Sequence, residues 1–264
     1  MPQDPQDPPA VAAADPDVKI NPKLKLDLNV LLVIPTANKF KTNLLTTRLA
    51  AEQADRKELA RVAVSHLTVK ADSGVGEQPY DAAGPRGAFN RVVNAVRDLA
   101  AGGGGGKHGD VLARERIGTV VVGAVENFLL RETGKEGGKD GEPRAVVVDY
   151  GVIVLCRISL VAGGSAGGDG DGDGDKGSLK WEWRTGVSKG VTAPVEYWRW
   201  AEEQYGFEDE ARMYGKKTVG KVLAEHIDGL DDANWHEALA GVSRYDLLEE
   251  TMAGMEVPWP QEFE

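Results

Sequence analysis

At 264 residues with 41% hydrophobic positions, the chain can bury a sizeable core, and its length suits one large domain or one domain carrying insertions. A formal net charge of -11 argues against broad binding to nucleic acid or to anionic membranes, which need a basic surface, but leaves room for a small basic pocket. The single cysteine, Cys156, excludes an intramolecular disulfide and a cysteine zinc cluster, and its apolar surroundings predict a buried thiol.

Residues 1–27 read as a disordered leader. Their first part is rich in Pro, Asp, Gln and Ala, without the basic start and apolar centre of a signal peptide. No run of about 20 apolar residues offers a membrane span. The expected compartment is the cytoplasm, with the nucleus left open.

Residues 29–34 form a short, apolar, partly β-branched run, the pattern of a buried strand. A helix is expected from about 42 to 53 and a second strand over 61–70. A loop rich in Gly, Asp and Pro follows at 71–85. The spacing of Ala88, Val92, Ala95, Val96 and Leu99 predicts a helix over 86–99. Further strands are expected at 119–125, 145–160 and 179–186, and further helices at 194–205, 219–226 and 245–255. Glycine-rich or polar stretches near 101–110, 132–143 and 162–178 read as flexible loops. Strands and helices thus alternate early, hairpins occupy the middle and helices close the chain. The fold class is α/β with a mixed sheet, a single domain over 28–256 and a tail at 257–264.

Three segments could carry chemistry. The first is Thr36-Ala37-Asn38-Lys39-Phe40-Lys41, directly after the first strand. Ligands of α/β sheets bind at the carboxyl ends of strands, and a following helix offers free N–H groups to an anion. Thr36 would supply a hydroxyl, Asn38 an amide, and Lys39 and Lys41 charge, although the Gly-Lys-Ser/Thr spacing of a Walker loop is absent. The second is Asp72-Ser73-Gly74-Val75-Gly76-Glu77-Gln78-Pro79 with the helix behind it, where Arg86, Asn90 and Asn94, or Arg86, Gly87, Asn90 and Arg91, share one polar side as the kind of array that holds phosphate. The third is Glu126, read as following the strand Val120–Val125, where a carboxylate can hold magnesium beside phosphates. Each segment alone also fits a solvated turn, helix face or strand end.

The order of these segments resembles the inosine/xanthosine triphosphatase family. Its first strand is followed by a Thr-Thr-Asn-Pro-Ala-Lys type turn, matched at Thr36, Asn38 and Lys41. A Glu-Ser-Gly-Val-Pro-Glu-Gln-Pro loop follows, matched from Asp72 to Pro79 with Asp in place of the first Glu. An Arg- and Asn-bearing helix is matched at Arg86, Gly87, Ala88, Asn90, Arg91, Asn94 and Ala95. A later strand ends in Glu, as at Glu126, and a Thr-Arg pair after glycine near the end resembles Gly241-Val242-Ser243-Arg244. The resemblance implies a two-lobed inosine triphosphatase-like fold with the glycine-rich loops as insertions. It also implies Mg²⁺ or Mn²⁺ held by Asp72 and Glu126, and a purine nucleoside triphosphate, ITP or XTP, bound by Thr36, Asn38, Lys41, Arg86, Asn90, Arg91 and Arg244. Asp72, Glu77 and Glu126 would be the catalytic groups, and a homodimer is implied. The family has small residues after this Glu where this chain has Asn127 and Phe128, and its C-terminal lysine is missing. The alternative expectation is therefore a nucleotide-binding or scaffold protein that kept the pocket without catalysis.

Other features are given structural readings. Asp171, Asp173, Asp175 and Glu182 mimic a calcium loop, but Lys176 stands where glycine is needed. Tyr197, Trp198, Trp200 and Tyr205 read as a packing face. His66, His108, His226 and His236 have no metal-ligand spacing.

Overall fold

The computed structural model describes residues 29–101, 109–137, 143–159 and 180–259. The expected leader, the glycine run at 102–106 and the Asp-Gly run lie outside them. β1 (Asn29–Ile34) is hydrogen-bonded in parallel on both sides, to β2 (Val64–Thr68) and to β4 (Ile117–Gly137). A strand enclosed on both edges and both faces is apolar throughout, as its sequence is. β4 turns back antiparallel into β5 (Pro143–Ser159), and β5 pairs with β6 (Lys180–Val187) and with the short β7 (Val191–Thr192). The main sheet runs β2-β1-β4-β5-β6. The chain is α/β with a mixed sheet, as its sequence predicts.

Helices cover both faces. α1 (Lys39–Asp55) and α7 (Arg244–Gly254) lie on one, where Leu44, Leu45, Leu49, Leu248 and Met252 meet Val30, Leu32, Ile34 and Val121. α2 (Ala83–Ala101) and α3 (Gly109–Arg114) lie on the other, with Phe89, Val92, Val96 and Leu112 against Leu31, Val33, Val120 and Val122. A third cluster wraps the far end of the β4–β5 hairpin. It joins Leu129 and Val147 to Trp198 of α4 (Val195–Trp200), to Val222 and Leu223 of α5 (Val219–His226), and to Trp235 of α6 (Trp235–Ala240). Trp198 is buried and Tyr197 packs edge-on against Trp200, so the aromatic stretch is a packing face.

Several boundaries differ from expectation. α1 starts at Lys39 rather than near 42, because Asn38 caps it by accepting the Lys41 N–H at 3.0 Å. The expected loop at 71–85 contains β3 (Gln78–Pro79), paired with β8 (Tyr214–Gly215), and the first turn of α2. β4 does not end at 125; it continues to Gly137, so most of the loop expected at 132–143 is strand, paired with β5 up to Gly137↔Pro143. The expected tail at 257–264 also contributes to the core. Val257 and Trp259 are buried against the α1 face, and the Trp259 carbonyl accepts from buried Arg157 at 2.6 Å. Cys156 is buried as expected. No helix of the described residues is long and apolar enough to cross a membrane.

Candidate functional site

The site arises where β1 stops. Pairing of β4 with β1 ends at Val33↔Val122, and from Leu129 onward the same edge is taken by the chain after β3, through the Tyr80–Leu129 bridge and the Asp81 N–H to Leu129 carbonyl bond of 2.7 Å. Between these points the β4 edge carries Val125, Glu126 and Asn127 without a neighbouring strand among the described residues. Glu126 is therefore not at the end of its own strand, as its sequence suggests, but at the end of its neighbour. A cleft of about 200 Å³ opens there, lined by Glu77, Gln78, Glu126, Asn127, Asp149, Thr218, Gly220, Lys221, Asp232, Ala233 and Arg244. That is below the ~300–1,000 Å³ of pockets enclosing a drug-sized ligand, and its lining carries four carboxylates, Glu77, Glu126, Asp149 and Asp232, and two cations, Lys221 and Arg244.

On the α2 face of the hairpin, buried Glu126 accepts from Arg91 Nε at 2.6 Å, and Arg91 Nη1 also donates to the Ala71 carbonyl at 2.7 Å. On the α7 face, Asp149 accepts from Arg244 Nη2 at 2.7 Å, with His236 Nε2 at 3.2 Å from the same guanidinium nitrogen. The same His236 Nε2 lies 3.6 Å from Asp149 Oδ2, and His236 Nδ1 is buried without a hydrogen-bond partner among the described residues. Burial holds the His236 pKa below its ordinary value, against the raising effect of Asp149, and the Arg244 charge lowers it further. Arg244 Nε and Asn127 Oδ1 are buried without hydrogen-bond partners among the described residues.

Lys41 reaches the gap from α1 and donates to the Val125 carbonyl at 2.8 Å. Burial lowers its pKa; Glu126 pulls it back up, and Arg91 and Arg244 lower it again. Among the described residues no carboxylate pairs with it. Arg91 and Arg244 are each matched to an acid, and Lys41 is a third cation beside them.

The other expected site residues hold loops in place. Thr36 Oγ1 accepts the Asn38 N–H at 3.1 Å and Asn38 caps α1, so the hydroxyl and amide expected to hold phosphate organise their own turn. Asp72 is exposed and accepts the Gly74 N–H at 3.0 Å. Gly74 and Gly76 carry that loop at φ of 65° and 68°, a region that favours glycine. Asn90 donates to the Ser73 carbonyl at 2.7 Å, and Arg86 bonds to the Tyr214 hydroxyl, tying α2 to β8. Glu77 lines the cleft and pairs with Lys221 at 2.6 Å. Of the expected residues, the cleft wall therefore includes Glu77, Glu126 and Arg244. Lys41 and Arg91 adjoin it, and Thr36, Asn38, Asp72, Arg86 and Asn90 are not among its lining residues. Phe128 points away from it, buried between Gly84 and Tyr150, and a Cβ at Gly84 would come within 2.2 Å of its ring.

Asp149, His236, Lys221 and Asp232 have no counterpart among the expected residues. Asp149 has a sequence signal, a lone carboxylate inside the apolar run Val146–Val152. Among the described residues no three His, Cys, Asp or Glu side chains are grouped to hold a metal ion. The acidic groups at the cleft offer oxygen only, which suits Mg²⁺ or Mn²⁺ if phosphate oxygens and water complete the shell.

No protein-family model and no curated protein matches the chain. Among solved structures, it is similar to protein VC0702 from Vibrio cholerae at 13% identity, covering 84% of this chain and 90% of that one, with a TM-score of 0.43. It is also similar to a neuraminyllactose-binding hemagglutinin homolog from Helicobacter pylori at 9% identity, covering 89% and 95%, with a TM-score of 0.24. Neither likeness assigns the chain to a family.

Proposed function

We propose that the protein hydrolyses aberrant purine nucleoside triphosphates, ITP and XTP, to the diphosphate and phosphate with Mg²⁺ or Mn²⁺, in a two-lobed fold of the inosine triphosphatase kind. The supporting observation is the gathering of three cations, Lys41, Arg91 and Arg244, beside the gap beyond the carboxyl end of β1, where Arg91 pairs with Glu126 and Lys41 donates to the Val125 carbonyl. Fixed cations in a partly dry cleft stabilise a polyanion and the charge that develops on transfer of its terminal phosphoryl group. The sequence resemblance points to the same chemistry.

In this reading Lys41 and Arg91 hold phosphate oxygens, and Arg244 closes the opposite wall. Glu126 would hold the ion, joined by Asp72 from the loop whose Ala71 carbonyl already shares Arg91 with Glu126. The bound ion would supply charge neutralisation and polarisation of phosphate and water. Glu77 would accept a proton from the attacking water once its pairing with Lys221 is released. Thr36 and Asn38 shape the turn that delivers Lys41, while Arg86 and Asn90 hold the loops around it. Glu126→Gln is expected to abolish metal-dependent phosphate release from ITP; unchanged turnover would remove Glu126 from the mechanism.

One observation favours a second reading, a nucleotide-binding or scaffold protein without catalysis. Glu126, Asp149 and Glu77 are each already engaged by a cation. Thermal shifts with ITP, with and without Mg²⁺, beside a phosphate-release assay separate the two, since binding without turnover of ITP, XTP or GTP supports the scaffold.

A further inference from the structure

Three carboxylates lining the cleft are each paired with a cation: Glu126 with Arg91, Asp149 with Arg244 and Glu77 with Lys221. The first two pairs are largely enclosed. The third is not: Glu77 and Lys221 meet at 2.6 Å with side chains 50% and 44% exposed. An exposed ion pair is screened by water and opens at little cost, whereas separating an enclosed one strands a charge away from water. Lys221 and Arg244 are the cations of the cleft lining, and Arg244 is bound to Asp149. Lys221 is therefore the lining cation able to change partners.

The main chain on both sides of this pair is fixed. Thr218 caps α5, its Oγ1 accepting the Lys221 N–H at 3.2 Å. Gly220 packs so closely on the chain ahead of α6 that a Cβ there would come within 2.0 Å of the Asp232 carbonyl oxygen. Next to Glu77, buried Gln78 pairs with Gly215 of β8, and its Oε1 accepts the Val219 N–H at 3.3 Å. β3 and the start of α5 are thus tied to each other, which leaves the two side chains as the moving parts.

We propose that Lys221 binds phosphate and that the Glu77–Lys221 pair is a gate worked by the substrate. In the empty cleft Lys221 neutralises Glu77. An entering polyphosphate offers Lys221 several anionic oxygens in place of one carboxylate and more charge than a carboxylate carries, so Lys221 changes partner. Glu77 is then released beside the bound anion. It takes the proton of the attacking water as the water oxygen bonds to the terminal phosphorus. The bond from that phosphorus to the bridging oxygen breaks, and its electron pair leaves with the diphosphate. The proton acceptor is freed only when phosphate is present, so its pairing with Lys221 is the resting state of the site.

This gate rests on the phosphate reading of the cleft. Calorimetry of the full chain with tripolyphosphate, with and without Mg²⁺, tests it. Lys221→Gln should weaken binding roughly tenfold, and Lys221→Arg should restore most of the loss. Glu77→Gln should tighten binding about threefold, because Lys221 no longer has a partner to leave. That gain should vanish when Lys221→Gln is added, the coupling expected of a pair that acts together. A merely structural ion pair would not shift affinity in opposite directions from its two ends. Wild-type binding unaffected by Lys221→Gln, or no gain in Glu77→Gln, overturns the gate and leaves the phosphate reading standing. A wild type that does not bind tripolyphosphate overturns both.

Discussion

On the α2 face of the β4–β5 hairpin Glu126 meets Arg91; on the α7 face Asp149 meets Arg244. The ion pairs are nearly equal in length, 2.6 and 2.7 Å, but their settings differ. The Arg91 and Glu126 side chains are 26% and 12% exposed, and Lys41 stands by as a second cation. Arg244 and Asp149 are 15% and 5% exposed, backed by buried His236 and by Asn234, whose Oδ1 accepts the Arg244 N–H at 2.7 Å. The first pair borders water and can be rearranged by an incoming anion. The second is fixed from several sides and behaves as part of the wall.

The largest effect should come from breaking the enclosed pair. Arg244→Ala leaves Asp149 buried without its cation and is expected to cost about 3–5 kcal/mol in urea denaturation. Arg91→Ala should cost less, roughly 1–3 kcal/mol, since Glu126 can reach solvent and Lys41, while weakening binding of ITP or tripolyphosphate. Equal losses in the two variants would abolish the distinction between the faces.

The smallest effect concerns pH. The His236 pKa in the folded chain lies below its ordinary 6.5, so the unfolded chain binds the proton first. The stability that neutral His236 contributes is complete above that value and declines as pH falls through it toward the lower folded pKa. Thermal melts between neutral pH and pH 5 should show this decline, and His236→Gln should flatten it. A variant with an unchanged slope would assign the decline to other groups and leave Asp149 and Arg244 as the whole of the α7-face cluster.

The parts of this arrangement that were legible in the sequence are those with local signals. β1 and α5 fall where their apolar runs and periodicity place them. Glu126 reads as a strand end in the sequence, but the strand that ends beside it is β1, and a neighbour's end leaves no mark in the β4 sequence. Thr36 and Asn38 show a different limit, since the hydroxyls and amides that cap a helix also bind phosphate. β3 and β8 pair through two residues each across a long separation, too short for any periodicity to report. Asp149 carried a signal in its apolar strand, but its partner Arg244 lies 95 residues away, beyond any local pattern.

The buried segment ending at Trp259 also bears on how the protein is made. Arg48 of α1 donates to the Met252 and Met255 carbonyls, and Arg157 of β5 to that of Trp259, so the α1 side of the sheet is closed by chain synthesised long after it. Contacts of such separation slow folding, because a large loop must close before they form. During translation, β1 and α1 emerge with an uncovered apolar face and wait for α7 and the residues behind it. The nascent chain is thus exposed to aggregation through most of its synthesis, and a premature stop before Arg244 would leave that face without α7, Val257 and Trp259.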